Sequence, residues 1–208
     1  MFTRTLTALA LLVGMFSSAC AYQTRPYLGF NLNLNVPQGD FAGNNLAAEE
    51  GGAQNGYGIG ADVGLAGNIA DVYLGYRVGT HDAQSTAFGA RAEGKWTITQ
   101  WALGARVHPK RSLDRAFVPM LGLALTNSRA TADATGYVFS DTLTAKETSQ
   151  SETSIMLEGG FLITMSSVAE LALMLQQHDF DASFDHPLWN GSLNISYLTL
   201  HVGVVYRL

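Results

Sequence analysis

The richest chemical cluster in this sequence is His178-Asp179-Phe180-Asp181, followed by Ser183, Asp185, His186 and Trp189. Imidazole nitrogens and carboxylate oxygens spaced like this suit a borderline divalent cation, so His178, Asp179, Asp181, Asp185 and His186 form a candidate cation site. A serine among histidines and aspartates also invites a nucleophile and base reading. The plainer reading is a solvated loop in which Asp and Ser initiate turns, and it is preferred. A second set of groups is dispersed rather than clustered. Asp62, Asp71, Glu158 and Glu170 stand against Arg77, Arg106 and Arg207, with His201 among them. Each lies in a stretch of alternating apolar and small or polar residues, so the elements that carry them decide whether they meet.

Those elements read as strands. In the last sixteen residues, Leu198, Leu200, Val202, Val204, Tyr206 and Leu208 alternate with Tyr197, Thr199, His201, Gly203 and Arg207. Period two is the signature of a strand with one apolar face. The pattern recurs at 28–36, 57–65, 71–78, 98–107, 117–126, 155–164 and, briefest, 171–178. Eight strands of about ten residues each suit a tilted membrane strand. The connections alternate too. Those at 66–70, 109–114 and 166–169 are short, and those at 37–55, 79–94, 127–152 and 179–192 are long and polar. Pro119 lies inside the fifth strand and cannot donate to a ladder, so a bulge or a late strand start is expected there.

Short turns alternating with long loops are the pattern of an outer-membrane barrel with periplasmic termini. The expected fold is all-β, an eight-stranded antiparallel up-and-down transmembrane β-barrel. Tyr57 and Trp96 near one set of strand ends, and Phe117 and Tyr206 near the other, are expected in the interfacial girdles. The competing architecture is a soluble lipocalin-like ligand binder, with the apolar face turned inward. The membrane reading is preferred, because glycine crowds the polar face and small residues suit a narrow lumen. In that lumen Asp71 is expected to meet Arg106, Glu170 to meet Arg207, Asp62 to meet Arg77, and Glu158 to meet a donor on a neighbouring strand. They form a plug in preference to a gate, since an unpaired buried charge is costly. His201 reads as a satisfied interior histidine rather than a pH sensor.

Composition narrows the classes further. The 208 residues carry a formal net charge of −5 with 14% charged residues, and no basic stripe speaks for nucleic acid. No run of 18 apolar residues is present to form a transmembrane helix. Arg4, the apolar run Leu6–Phe16 and the Ala19-Cys20-Ala21 motif read as a signal peptide over 1–21, leaving a barrel domain over 22–208. Acylation of Cys20 is the alternative, disfavoured because Ser17 stands where such sites usually have leucine. Cys20 is the only cysteine, which excludes an intramolecular disulfide and a cysteine zinc site.

The stretch Arg25-Pro26-Tyr27-Leu28-Gly29, the Gly58-Ile59-Gly60 pattern and the closing Tyr206-Arg207-Leu208 resemble the small eight-stranded outer-membrane proteins, the group of the OmpA transmembrane domain, OmpX and OmpW. The resemblance implies a porin-like envelope protein that contacts outer-membrane lipid and lipopolysaccharide and is inserted by the barrel assembly machinery. It implies no cofactor, no metal and no catalytic residue. The expected role is non-enzymatic, supporting envelope integrity or surface interaction through external loops. A narrow channel for small or apolar solutes comes second. A lipid A-modifying enzyme comes third: small barrels that deacylate lipid A carry serine two residues after a histidine, and here Asp181 follows His178 at that spacing.

Overall fold

The computed structural model describes residues 24–42, 52–87, 90–110, 116–138, 141–186 and 189–208. The expected signal segment with Cys20 therefore lies outside the described residues. The strands are β1 (Arg25–Gln38), β2 (Gly52–Ala53), β3 (Gly56–Ala66), β4 (Ala70–Ala87), β5 (Ala90–Val107), β6 (Phe117–Val138), β7 (Asp141–Thr148), β8 (Glu152–Thr164), β9 (Ala169–His186) and β10 (Trp189–Arg207). Among the described residues ten strands form one sheet. Two of them, β2 and β7, pair only beside β4 and β6. The remaining eight close a ring in the order β1-β3-β4-β5-β6-β8-β9-β10, every ladder antiparallel. The ring shuts where β1 pairs β10, from Tyr27 opposite Arg207 to Gln38 opposite Ser196.

The alternation resolves into an inside and an outside. Phe30, Leu32 and Leu121 are about two-thirds exposed, while Asn31, Asn33 and Asn35 beside them are buried. Apolar side chains thus clothe the outer wall and polar ones fill the interior, which overturns the lipocalin-like alternative. The outer apolar band has a sharp upper edge. On β5 the outward series runs Val107, Leu103, Trp101, Thr99, Thr97 and then Lys95, which sits in a row with Asp133 and Lys146. Charge cannot face hydrocarbon cheaply, so the strands continue past the bilayer above this row.

That continuation corrects the sequence reading of the long loops. Residues 79–87, most of 127–148, 179–186 and 189–192 are paired strand rather than loop. β9, expected to be the shortest, runs for 18 residues. Above the bilayer both faces of a strand can be polar, so the period-two signal fades while the backbone still pairs its amides. Pro119 also needs no bulge. Pairing of β6 with β5 begins only at Leu121, so among the described residues Pro119 has a neighbouring strand on the β8 side alone, opposite Phe161.

Tyr57, Phe117 and Tyr206 face outward near strand ends, as a girdle requires. Trp96 does not. It has the parity of Ile98 and Gln100 and turns inward, against Phe41 and Phe184. Glycine on the inner wall makes room for rings: a Cβ at Gly104 would stand 2.4 Å from the Tyr73 ring.

Candidate functional site: the filled lumen and its apolar mouth

The interior is layered. At the end bearing the short turns, Val118, Met120, Leu162 and Val205 pack with Tyr27 in an apolar layer. At that end Glu170 on β9 also takes an ion pair from Arg207 on β10. Asp71 lies 3.3 Å from His108 Nε2 and accepts a hydrogen bond from the Gly67 amide in the short turn. These groups tie turns to the barrel's base.

Above them runs the central network. Arg106 Nε lies 2.9 Å from Glu158 Oε1, and its Nη2 lies 3.4 Å from Asp62 Oδ2. Asp62 also pairs with Arg77 at 3.3 Å. Tyr73 donates its hydroxyl proton to Glu158 Oε1 at 3.0 Å, and Gln176 donates to Oε2 at 3.1 Å. The Arg106 guanidinium lies over the Tyr73 ring, 4.0 Å from its centre, a cation–π contact strengthened by exclusion of water. All six side chains are buried. Strand alternation explains their common direction, and register explains the partners. Gly122 on β6 is the ladder partner of both Arg106 on β5 and Glu158 on β8. Its missing side chain lets the pair meet across an intervening strand.

The sequence set is therefore gathered in part. Asp62, Arg77, Arg106 and Glu158 form one cluster; Glu170 with Arg207, and Asp71 with His108, form two others. Asp62 meets Arg77 as expected. Arg106, opposite Asp71 in the ladder, reaches to Glu158 and Asp62. His201 is buried on the inner wall, opposite Asn33 on β1 and Met174 on β9. Tyr73, Gln176 and His108 were missed, though parity alone puts Tyr73 and Gln176 inside.

A cavity of about 20 Å³ lies higher, lined by Asn33, Arg77, Gln100, His178, Tyr197 and Thr199 among others. That is room for about one water. Among the described residues Arg77 Nε and Nη1, Gln100 Oε1 and His178 Nε2 have no hydrogen-bond partner there, while Gln100 Nε2 lies 3.2 Å from His178 Nδ1. His178 also stacks on Tyr197, ring centres 4.4 Å apart.

The mouth of the barrel is apolar. Phe41, Ile98, Phe180, Phe184, Ile195 and Tyr197 form a buried cluster with Trp96 and Leu193 against it. Phe41 arrives on a single 3₁₀ turn, Gly39–Ala42, that folds inward from the end of β1. Gly39 starts that turn with φ +56°, a conformation that other residues adopt at a cost. The Phe41 ring meets His81 edge-on at 5.1 Å and Trp96 at 5.8 Å. His81 lies above the lipid-facing band, whose last apolar member on β4 is Val78. Burial pushes its pKa below the ordinary imidazole value, an effect partly opposed by the hydrogen bond between Nδ1 and the Gln54 carbonyl at 3.0 Å.

The candidate cation cluster does not converge. Strand alternation turns His178 into the lumen and Asp179, Asp181 and Asp185 outward. Asn194 donates to both Asp179 and Asp181. Among the described residues no three histidine, cysteine or acidic side chains are placed to hold a metal. The side chain of His186 lies outside the described set.

The family described as outer membrane protein beta-barrel domain matches residues 6–207. Among solved structures, Neisserial surface protein A is similar at 12% identity and a TM-score of 0.59, covering 89% of this chain and 99% of that one. OprG from Pseudomonas aeruginosa is similar at 13% identity and 0.58, covering 90% and 96%. Ail of Yersinia pestis, solved with the heparin analogue sucrose octasulfate, is similar at 11% and 0.50, covering 89% and 97%. No curated protein sequence gives a significant match. At such identities the likeness speaks for the fold.

Proposed function

The chain belongs to the outer-membrane protein β-barrel domain family, and from that premise we propose a closed, non-enzymatic barrel that acts at the cell surface through its extended hairpins. The single observation behind this reading is the contrast between interior and exterior. The lumen is filled at mid-height by the Asp62–Arg77–Arg106–Glu158 network, with a cavity of about 20 Å³ above it. The hairpins of β4–β5, β6–β7 and β9–β10 continue as paired sheet beyond the last lipid-facing apolar residues. Rigid, protruding elements on a fixed scaffold are where binding usually resides.

In this reading the short turns and both ends of the barrel domain face the periplasm, and the hairpins project outward among lipopolysaccharide. The barrel assembly machinery inserts the chain. His178 and the outward aspartates then serve structure and solvation rather than catalysis.

The test is conductance in planar bilayers beside lipid A analysis. The purified barrel is expected to give no steady open channel, and its expression to leave lipid A mass unchanged. Shortening the β6–β7 hairpin is expected to leave the heat-dependent gel shift intact while altering surface phenotypes such as detergent sensitivity. A steady conductance would favour the second reading, a narrow path for apolar solutes. The apolar mouth around Phe41, Phe180 and Phe184 is the observation in its favour. A changed lipid A mass would restore the enzyme.

A further inference from the structure

One feature of the outer wall belongs to neither lumen nor hairpins. Near the short-turn end lies an apolar groove of about 640 Å³, within the size range of small-molecule sites. Its walls include Val107 and Pro109 at the end of β5, Pro119 and Leu121 on β6, and Gly159 and Phe161 on β8. The ladder explains the depression. Leu121 is the partner of both Val107 and Gly159, so one row across three strands carries two large outward side chains and then none. Leu121 and Phe161 stand exposed beside the gap. The end of β5 pairing before Pro119 deepens it on the other side.

These walls lie in the lipid-facing band, so the medium that fills the groove is hydrocarbon. Charge at the rim decides which lipid. The connection that follows Pro109 starts with exposed Lys110. Of the three short connections it is the only charged one in sequence, with Lys110, Arg111 and Arg115 against the single carboxylate of Asp114; Gly67-Asn68-Ile69 and Met165-Ser166-Ser167-Val168 carry no charge at all. A lysine next to an apolar slot at the membrane edge matches a phosphate headgroup above an acyl chain.

We infer that this groove holds one acyl chain of an anionic glycerophospholipid, with its phosphate at Lys110. The choice of phospholipid over lipopolysaccharide rests on the orientation proposed above, which puts the short turns in the periplasmic leaflet.

The test uses the full barrel reconstituted in vesicles of equal phosphatidylglycerol and phosphatidylcholine, then released for native mass spectrometry. The unchanged protein is expected to retain one phosphatidylglycerol. Gly159→Leu fills the slot, since even a Cβ there would stand 3.1 Å from Leu121 Cδ2; retention is expected to fall about tenfold. Lys110→Glu, on an exposed turn that does not threaten folding, is expected to keep a lipid but lose about tenfold in preference for the anionic one. Equal retention by all three proteins, each checked for the heat-dependent shift, would mean annular lipid only and would overturn the inference. If Gly159→Leu fails to fold, the Lys110→Glu result decides alone. Barrel taken directly from cells and found with lipopolysaccharide in the groove would overturn the phospholipid assignment and the orientation while leaving the groove occupied.

Discussion

Arg106 and Glu158 sit on strands that do not pair with each other, and their 2.9 Å contact passes over Gly122, the ladder partner of both. A Cβ at position 122 would stand 2.6 Å from Glu158 Oε1 and 2.8 Å from the Ala105 carbonyl oxygen. Gly122→Ala is therefore expected to push the carboxylate out of line and destabilise the barrel by about 1–3 kcal/mol. The urea midpoint of the heat-shifted gel band measures this; an unchanged midpoint would remove the positional role assigned to Gly122.

The same pair predicts non-additivity. Glu158→Leu alone leaves Arg106 with Asp62 as its one carboxylate partner among the described residues, and strands the donors of Tyr73 and Gln176. A loss of about 3–5 kcal/mol is expected. Arg106→Met combined with Glu158→Leu is expected to cost less than the sum of the two single changes, because neither leaves its partner charge buried. A double-mutant cycle in urea checks this, and strict additivity would show that the contact carries no coupling.

Phe41 closes the mouth from a short turn, so its truncation should act locally. Phe41→Ala forfeits burial worth about 1.5–3 kcal/mol in that turn, while the ring of strands keeps its ladders. Trp96, packed against Phe41, is expected to become more open to iodide quenching, with the global urea midpoint little changed. A large fall in that midpoint would mean that the turn is part of the cooperative core.

The pKa of His81 is lowered on folding by burial. The unfolded chain then binds more protons near its ordinary value of about 6.5, so stability from this site is complete above that pH. It is lost as pH falls through the range below it. Acidification from pH 7.5 to 5 is expected to loosen the packing of Phe41, Trp96 and Tyr197 around His81, read as a lower protection factor for the Gln54 amide, the observed rate being corrected for the slower intrinsic exchange in acid. His81→Phe is expected to flatten that response. A pH response unaffected by this change would show that His81 is not its source.

The edge of the lipid band can be located by charge. Leu103→Arg, facing outward opposite Leu74 and Leu125, is expected to cost about 2–4 kcal/mol in a bilayer. Lys95→Leu, in the charged row above, is expected to stay within about 0.5 kcal/mol. Comparable effects at both positions would place the membrane elsewhere on the wall.

Within the lipid-facing band parity was legible: Leu28, Phe30, Leu32, Leu34 and Val36 face outward and Asn31, Asn33 and Asn35 inward, as alternation requires. The lumen charges were legible as a group for the same reason. Their partners were only partly so, because Asp62–Arg77 joins neighbouring strands whereas Arg106–Glu158 skips one. Register and a glycine decide that contact, and neither shows in hydrophobic periodicity. Trp96 was misplaced because an aromatic residue near a strand end was read by composition rather than by its own parity. Phe41 gave no signal, since a lone ring in a Gly-rich polar stretch becomes meaningful only when the turn folds inward. The hairpin extensions escaped for a physical reason: with water on the outside and wall on the inside, Thr, Ala, Ser and Asp serve equally well.

The seam between β1 and β10 has a kinetic meaning as well. Every other ring ladder joins segments consecutive in the chain or separated by one hairpin arm, whereas this one joins Leu28 to Tyr206. Its loop-closure entropy is the largest of any ladder, so it is expected to form last and to limit the folding rate. Until then, two open strand edges invite pairing with another molecule. The seam is thus where folding competes with aggregation, and the residues that hold its register guard solubility before they contribute to stability.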